Sequence, residues 1–407
     1  MTDTRPRDPA LAFSLAAPPA GFADDPAPVW AALREHSPVH DLGNAAWYLT
    51  RHADVLAVYR SAVVSSDKKA EFAPRFGVGT PLYEHHTTSQ VFSDPPLHTR
   101  LRRIVMGAMN QRAIARMDAG VRSLVAGLLD RLDDEPAPDL VEHFAASIPV
   151  EVIGNLLDIP KHERGPLRAW SLATLSALEP APSAAMVDAG QRAVAEFLAY
   201  LRGLVAQRTA HPGDPEVDVL TRLIQGDASG SLDEHELLHN CIFLLNAGHE
   251  TTTNLIGNGA WLLMRDPASL TRLLTEPTLI DPAVEELLRL ESPIQLNNRR
   301  LLEPITLPSG PTLPAGSYVN LAVGAANRDP AVFADPEHMD IARKPNHHLA
   351  FGQGAHACSG MNVARLEARI ALLALFQRFP RLALTGTEER DRRLRFRGFR
   401  RLPVNWH

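Results

Sequence analysis

The sequence has little cysteine, no long apolar run and no excess of positive charge. Its 407 residues contain two cysteines, Cys241 and Cys358, too few for a disulfide framework, so we expect a cytoplasmic protein in a reducing compartment. No apolar run approaches the roughly 18 residues that a membrane-spanning helix needs, so we expect no membrane association. The 41 Lys and Arg against 47 Asp and Glu give a formal charge of -6, which argues against a nucleic-acid partner.

Linker-like Gly/Ser tracts and repeats are also missing. We therefore expect a single domain over residues 1–407, with residues 1–20 as a loose N-terminal tail. A chain that is 45% hydrophobic at this length can bury a large core. A Pro/Ala-rich stretch, residues 179–185, is interpreted as a surface loop and a candidate lid rather than as a domain boundary.

Hydrophobic periodicity predicts a mainly α protein with small β-sheets. Residues 46–49 read as a strand and residues 53–60 as a short helix capped at His52 or a neighbouring polar residue. Helical periodicity dominates from residue 113, and residues 293–323 switch to short apolar runs separated by Pro and Gly, as in hairpins.

The longest predicted helix begins at Ser231, which forms a capping box with Glu234, and ends at Arg265, before Asp266-Pro267. Its length is about 50 Å at 1.5 Å per residue, enough to cross the molecule. Residues 247–252, Ala-Gly-His-Glu-Thr-Thr, are poor choices for a helix interior. We expect Gly248 to let a flat ligand approach the backbone, and a Thr hydroxyl to bond the carbonyl one turn back.

The second cysteine lies in a glycine-rich segment, residues 351–360, with the sequence Phe-Gly-Gln-Gly-Ala-His-Ala-Cys-Ser-Gly. Glycines let the backbone turn tightly, so that amide groups can point at the sulfur, and the helical pattern that follows adds positive potential. This setting favours a thiolate and suits an axial ligand of haem iron. A buried structural cysteine remains an alternative, as does a zinc site with the neighbouring histidines His347, His348 and His356.

The spacing Phe-Gly-x-Gly-x-His-x-Cys-x-Gly resembles the haem-binding loop of the cytochrome P450 monooxygenases. Further segments resemble the same family in the same order, from about residue 26 to residue 406; they are residues 94–102, residues 247–252, the Glu286–Arg289 pair and residues 326–330. The resemblance implies the cytochrome P450 fold, with the long helix crossing the haem, and haem b as the cofactor.

The resemblance also implies roles for individual residues. Cys358 is the expected iron ligand, and Glu250 and Thr251 are expected to deliver protons. Glu286 and Arg289 are expected to be buried structural residues near the haem, bonding residues such as Asn327 or Arg328. The other residues expected to contact the cofactor are His98, Arg102, Ala247, Gly248, Arg299, Phe351, Gly352, His356 and Gly360. His98 and Arg102 lie four apart on one helix face, which suits an anion such as a haem propionate, and Arg300 competes with Arg299 for the inward position.

The implied activity is insertion of one atom of O₂ into an apolar organic substrate, by hydroxylation or oxidative demethylation, with reduction of the other atom to water. No flavin, nicotinamide or iron–sulfur motif is present in the sequence, so electrons are expected from a separate ferredoxin and ferredoxin reductase, docking on a monomer. The expected docking arginines are Arg100, Arg103, Arg365 and Arg369. The expected substrate-pocket walls are residues 82–92, 244–247, 296–298 and 398–399. A peroxide-driven peroxygenase and a non-catalytic haem-thiolate sensor or carrier remain alternatives.

Overall fold

The computed structural model describes residues 12–109, 111–215, 218–226 and 230–406. The protein is 55% helical with small sheets, which confirms the predicted fold class. The helices are α1 (Ala27–His36), α2 (His52–Arg60), α3 (Lys69–Phe76), α4 (Pro81–Thr88), α5 (Leu97–Ala108), α6 (Gln111–Asp133), α7 (Ser147–Leu156), α8 (Leu167–Ser176), α9 (Ala184–Ala210), α10 (Val219–Gln225), α11 (Glu234–Arg265), α12 (Pro267–Thr275), α13 (Ile280–Leu290), α14 (Val323–Ala326) and α15 (Met361–Arg378).

The strands are short and form one larger sheet and three two-stranded ones. They are β1 (Val39–Gly43), β2 (Ala46–Leu49), β3 (Val64–Ser65), β4 (Leu296–Leu301), β5 (Ile305–Thr306), β6 (Thr312–Leu313), β7 (Tyr318–Ala322), β8 (Leu382–Leu384), β9 (Glu389–Arg390), β10 (Phe399–Arg401) and β11 (Val404–Trp406). The five-stranded sheet has the order β1-β2-β7-β4-β3, and the pairs are β10-β9, β11-β8 and β5-β6. The strand predicted over residues 46–49 and the hairpins predicted over residues 293–323 are therefore present.

The five-stranded sheet brings residues 39–65 together with residues 296–322 and orients Arg299. Strand β2 pairs in parallel with β7, and β4 pairs antiparallel with β7, placing Arg299 opposite Val319. Successive side chains of a strand point to opposite faces. Arg299 is accordingly buried and Arg300 exposed, which identifies Arg299 as the inward arginine.

The structure describes only part of residues 1–20, the segment that we expected to be a loose tail. Residues 1–11 lie outside the described residues. Phe13 is 3% exposed, and its ring lies 4.8 Å from that of Tyr48 and 5.1 Å from that of Phe22. The chain is therefore packed against β2 from residue 13, well inside the segment expected to be loose.

The long helix α11 is capped two residues later than predicted and ends at Arg265 as predicted. Its cap is Asp233, whose carboxylate accepts the Glu236 N–H at 2.8 Å while Glu236 reaches back to the Asp233 N–H at 3.2 Å. The predicted Ser231–Glu234 box is wrong, although it has the same spacing. Leu232 and Leu237, just before the cap and in the first turn, are buried in one cluster, as in a hydrophobic staple, and this favours the later start.

Two apolar clusters pack against the two halves of α11. The N-terminal half, including Cys241, packs with α5, α9 and α10, and the C-terminal half packs with α6, α13 and α15. Residues 246–254 belong to neither cluster, so the middle of the helix is polar. Within the described ranges, no helix is both long and apolar enough to span a membrane.

Two smaller expectations need adjustment. Helix α2 begins at His52 itself and has no side-chain cap. The stretch expected as a surface loop and lid corresponds to the α8–α9 loop, residues 177–183, but its Glu179 is buried and accepts the backbone N–H groups of Leu394 and Arg395. This loop is anchored at its start rather than free.

Candidate active site

One face of α11 is open although the helix crosses the interior. Phe243, Ala247 and Thr251 recur every four residues, and together with Gly248 they are exposed or half-buried while their helix neighbours are buried. We call these four residues the exposed stripe. The Thr251 hydroxyl donates to the Ala247 carbonyl at 2.8 Å, the predicted bond to the preceding turn.

Gly248 has a packing role that the sequence did not indicate. A Cβ at this position would lie 2.6 Å from Cδ1 of Ile153 on α7, a distance that real Cβ atoms do not adopt. The missing side chain therefore lets α7 approach α11. Gly248 is also half-buried on the exposed stripe, and its expected role in letting a flat ligand approach the backbone stays a prediction.

The cysteine loop, residues 351–360, has the geometry expected from its glycines. Gly352 and Gly354 have φ of 63° and 73°, in the region that favours glycine, and a Cβ on Gly354 would collide with the Tyr59 carbonyl. The Cys358 N–H donates to the Phe351 carbonyl at 2.8 Å, and α15 begins at Met361. The loop is thus closed on itself immediately before a helix N-terminus.

The environment of the Cys358 sulfur contains opposing effects. Burial raises the pKa of the thiol, whereas the Gly360 N–H, which points at the sulfur, and the cations Arg102 and Arg365 oppose this rise. The Arg365 guanidinium also stacks over the Phe351 ring at 4.7 Å. Positive groups and an amide donor around one cysteine are the features that stabilise a metal-bound thiolate.

Four side chains that can carry positive charge converge beside this loop. We call His98, Arg102, Arg299 and His356 the cation cluster. The His98 and His356 rings are 3.9 Å apart, and Arg102 Nη1 donates to the Ser359 hydroxyl at 3.1 Å. Burial, and then the proximity of Arg299, His98 and Arg102, lowers the pKa of His356 to about 3.

No carboxylate of the described residues is paired with the cation cluster, although Asp94 is near enough to oppose the lowering of the pKa of His98 and of Arg299. Across the part of the chain that the structure describes, none of its four members makes an ion pair, and His98 Nε2 is buried without a hydrogen-bond partner. Arg299 donates only to the neutral Asn298 carbonyl at 2.7 Å and to Asn297 Oδ1 at 3.2 Å. Buried or half-buried donors without a paired carboxylate fit an anionic ligand such as a carboxylate.

A zinc site is not supported by the structure. His348 Nε2 contacts Glu285 at 3.0 Å, and the described residues contain no group of three His, Cys, Asp or Glu side chains arranged to hold a metal ion. A single cysteine in a glycine loop beside an unbalanced cation cluster fits the haem alternative.

The Glu286–Arg289 pair is completely buried, as expected. The two side chains are bonded twice at 2.8 Å, and each is 0% exposed. Arg289 also donates to the Asn327 carbonyl at 3.0 Å, and the Asn327 side chain accepts the Leu349 N–H at 2.7 Å. This chain of bonds connects the pair to the segment that leads into the cysteine loop.

Glu250 has a partner that the sequence did not reveal. Its side chain is 2% exposed and accepts a hydrogen bond from Arg393 Nη2, which also contacts Asp391 Oδ2 at 2.6 Å. Residues 390–401 contain seven arginines, a composition that signals several carboxylate partners without saying which. Adjacent Thr251 lies on the exposed stripe, whereas the Glu250 carboxylate is held on the side of the turn between β9 and β10.

Three of the four expected docking arginines are engaged inside the protein. Arg100 pairs with Glu236, Arg365 makes two bonds with Glu285 at 2.7 and 2.8 Å, and Arg369 pairs with Asp281 at 2.7 Å. Of this set, only Arg103 is exposed and makes no ion pair within the described residues. The expectation of a free patch of four arginines is therefore wrong.

The expected pocket walls are divided between open and packed positions. Ala247 is open, but Leu82 is fully buried, and its Cδ1 lies 3.0 Å from where a Cβ on Gly190 of α9 would be. A Cβ on Gly398 would collide with the Asn254 side chain, and the Phe399 ring lies 5.5 Å from that of Trp261. Residues 398–399 thus pack on α11 itself.

Comparison with known proteins gives one consistent result. The family model described as "Cytochrome P450" matches residues 183–404. The chain is 35% identical over 399 residues to the biotin biosynthesis cytochrome P450 of Bacillus subtilis, covering 95% of this chain and 97% of that protein. It is 36% identical over 389 residues to 6-deoxyerythronolide B hydroxylase of Saccharopolyspora erythraea, covering 92% and 94%. The crystal structure of P450BioI in complex with hexadec-9Z-enoic acid ligated acyl carrier protein matches with a TM-score of 0.88 at 32% identity, covering 95% of this chain and 99% of that one.

Proposed function

The chain belongs to the cytochrome P450 family and is a haem-thiolate monooxygenase, and from this premise we propose which residues perform the reaction and what supplies its electrons. In this proposal the cofactor is haem b, held by Cys358 as the iron ligand. The cation cluster holds the haem carboxylates. The substrate is an apolar small molecule, and the electrons come from a separate ferredoxin and its reductase. We further propose that the protein acts as a monomer in the cytoplasm.

The observation that carries the proposal is the convergence of three features. A cysteine in a closed glycine loop, two arginines and two histidines that are buried or half-buried without a paired carboxylate, and an exposed stripe in the middle of the longest helix come from distant parts of the sequence. Each has an ordinary structural explanation alone. Together they provide a ligand for iron, partners for two carboxylates and a surface for a flat group.

When bound, the haem activates O₂ for transfer of one oxygen atom to the substrate, and its thiolate ligand donates electron density that favours O–O cleavage. The protein contributes binding, orientation and protons. Thr251 presents its hydroxyl on the exposed stripe, so that it can donate a hydrogen bond there instead of to Ala247. Glu250 is the neighbouring acid, and its Oε2 has no hydrogen-bond partner among the described residues, so this oxygen is free to take up and release a proton.

The proposed substrate class rests on the relatives and on the lining of the site. P450BioI was crystallised with a carrier-bound hexadec-9Z-enoic acid, and the Saccharopolyspora relative is named for hydroxylating 6-deoxyerythronolide B. In the segment expected to line the pocket, Phe92 packs edge-on against Phe72 with ring centroids 5.4 Å apart. Aromatic side chains of this kind favour an apolar substrate.

Ligand assignment is tested with the Cys358→His variant. A thiolate and an imidazole donate charge to iron very differently, so the wild-type protein, reduced under carbon monoxide, should show the red-shifted Soret band of the family and the variant should not. Cys241→Ser is the matched control, because Cys241 is buried in an apolar cluster away from the loop. Retention of the band in Cys358→His would remove Cys358 as the ligand.

The source of oxygen and electrons is tested by comparing two assays on the same protein. Turnover with O₂, NADH, a surrogate ferredoxin and its reductase supports the monooxygenase assignment. Turnover with peroxide alone, at a rate that the electron-donor system does not approach, supports a peroxygenase instead. The Glu250–Thr251 pair favours the first result, since a peroxide-driven enzyme has no need for such a proton relay. A protein that binds haem and turns over in neither assay would be the sensor or carrier.

A further inference from the structure

We propose that Arg393, on the turn between β9 and β10, is a positioning residue for Glu250, and that Glu179 of the α8–α9 loop holds this turn in place. The turn comprises residues 391–398. The inference rests on the proposed proton-delivery role of Glu250, and its test distinguishes failure of that role from failure of the positioning.

The first step is the way in which one guanidinium bridges two carboxylates. Arg393 Nη2 donates to Glu250, and Arg393 Nε donates to Asp391 Oδ2 at 2.7 Å. The side chains of Arg393 and Glu250 are 11% and 2% exposed, so little water competes for the contact. A charge-assisted bond that is largely shielded from water is strong, and its loss leaves a charge buried without a partner.

The second step is the direction in which this contact holds the carboxylate. Thr251 and Ala247 lie on the exposed stripe, whereas Arg393 binds Glu250 from the β9–β10 turn. Only one oxygen is engaged, since within the described ranges Glu250 Oε2 and Arg393 Nη1 lack hydrogen-bond partners. The contact therefore fixes the place of the acid while leaving one oxygen available for a proton.

The third step is the anchoring of the turn. Glu179 Oε2 accepts the N–H groups of Leu394 and Arg395 at 2.9 and 3.2 Å, directly after Arg393 in sequence. Arg395 Nε donates in return to the Leu178 carbonyl at 2.9 Å. The α8–α9 loop is itself fastened to α3, where Arg75 donates to the Ala177 carbonyl at 3.0 Å. A continuous series of contacts thus runs from this loop to Glu250.

The nearby charges agree with this geometry. Burial raises the pKa of Asp391 to about 6, and the negative charge of Glu179 adds to the rise. The carboxylates of Asp391 and Glu179 therefore interact electrostatically across the turn that contains Arg393. Removing Glu179 alters both the backbone support of the turn and the electrostatic environment of the Arg393 bridge.

Positioning is tested first without turnover. Thermal unfolding of the haem-loaded protein is measured for Arg393→Gln, Glu250→Gln and the double variant. The proposal expects the double variant to lose clearly less than the sum of the single losses, because the two side chains share one contact. Arg392→Gln is the matched control, since the Arg392 side chain is 75% exposed and, among the described residues, pairs only with exposed Asp24, and its effect should add to that of Glu250→Gln. Additive losses for Arg393 and Glu250 would overturn the proposal.

The second measurement is the share of NADH electrons recovered as product rather than as peroxide. Arg393→Gln is expected to lower product per NADH roughly tenfold, less than the roughly hundredfold lower end of the range for losing a general acid or base itself, because Glu250 is still present, while the spectral shift on substrate binding is retained. Arg393→Lys should restore part of the yield, and Arg392→Gln should match the wild type. A wild-type yield in Arg393→Gln, when Glu250→Gln is impaired, overturns the positioning alone. A wild-type yield in Glu250→Gln instead overturns the proton-delivery role.

Glu179 is tested by the exchange of two backbone protons. In Glu179→Ala, the N–H groups of Leu394 and Arg395 lose their acceptor, so their hydrogen exchange should accelerate and product per NADH should fall in the same direction as in Arg393→Gln. Glu179→Gln keeps a side-chain carbonyl that can accept both bonds and should retain most of the protection and yield. Faster exchange with an unchanged yield in Glu179→Ala would remove Glu179 from the proposal.

Discussion

Among the buried Glu–Arg pairs of the described residues, Glu286–Arg289 and Glu250–Arg393 are satisfied to different degrees. Both oxygens of Glu286 are bonded to Arg289 at 2.8 Å, and Arg343, Asn346 and the Asp340 N–H supply further donors at 2.9–3.1 Å. Glu250 receives one donor from Arg393, and one atom on each side of that pair has no partner among the described residues.

The difference fits a structural role for Glu286 and the proposed proton-delivery role of Glu250. If a fully bonded buried carboxylate loses one of its hydrogen bonds, a charged group is left buried without a partner, which is costly. Glu286 is therefore suited to hold α13 against the segment around residues 336–346. A half-bonded carboxylate is costly to bury, but it retains a free oxygen. Such a group in the middle of α11, next to the exposed stripe, has the freedom that proton transfer requires.

The largest expected effect follows from removing Glu286. In Glu286→Ala, Arg289 is left 0% exposed without its carboxylate, which costs about 3–5 kcal/mol of unfolding free energy. We expect little soluble haem-loaded protein, measured as haem content per chain and by denaturant unfolding of what remains. Glu285→Ala is the control. Because Glu285 is 25% exposed, this variant should lose less unfolding free energy than Glu286→Ala. A wild-type unfolding midpoint in Glu286→Ala would contradict the structural role.

Thr251→Ala should show the opposite profile, a functional loss with little structural loss. The change deletes a half-buried hydroxyl bonded to the Ala247 carbonyl, worth about 1 kcal/mol, so fold and haem content should survive. NADH consumption should continue while peroxide replaces product, measured as product and peroxide formed per NADH. Thr251→Ser keeps the hydroxyl and should stay closer to wild type. Normal coupling in the alanine variant would argue against Thr251 as a proton donor.

The contributions of Glu286 and of Asp391 to the free energy of unfolding should change in opposite directions with pH. Although burial opposes it, Arg289 and then Asp340 N–H and Arg343 lower the pKa of Glu286, so its stabilising contribution is present above the ordinary Glu pKa and lost as the pH falls below it. Asp391 beside Arg393 behaves oppositely. Burial raises its pKa to about 6, so the folded state holds a proton that the unfolded state releases, and stability falls as the pH rises from about 4 through 6.

The Asp391→Asn variant isolates the second contribution. Its melting temperature, relative to wild type, should rise progressively between about pH 4 and 6 and level off above that range. A difference from wild type that does not vary with pH over this interval would show that Asp391 titrates at its ordinary value in the folded protein.

The smallest effect is expected for the Arg365–Glu285 pair, which links α15 to α13. Its side chains are 32% and 25% exposed, so Arg365→Gln should cost no more than about 1 kcal/mol of unfolding free energy. Reduction by a ferredoxin at low salt should change less in this variant than in Arg103→Glu, because Arg103 is exposed and is paired with no carboxylate in the described part of the chain. A larger rate loss for Arg365→Gln would place the docking surface on α15.

Local features were predictable where a few neighbouring residues decide the backbone. The strand at residues 46–49, the hairpins after residue 293 and the end of α11 at Arg265 follow from alternation, turn residues and a following Asp-Pro. The start of α11 was wrong because Ser231–Glu234 and Asp233–Glu236 both have capping-box spacing. Burial of Leu232 and Leu237, a tertiary property, favours the second.

By itself, the sequence determined the chemistry that is local in the chain. The glycines around Cys358 specify a tight loop, the i,i+3 spacing of Glu286 and Arg289 specifies a pair on one helix, and residues 247–252 mark a helix interior chosen for something other than helix propensity. Tertiary structure decided what these groups meet. Helical periodicity predicts the helix face on which a side chain lies but not its distant partner. The sequence therefore did not show that Gly248 packs against Ile153, or which of the seven arginines in residues 390–401 bonds Glu250. The packing of the β9–β10 turn on α11 selected Arg393, across 143 residues of sequence, because long-range contacts have no spacing that the sequence displays.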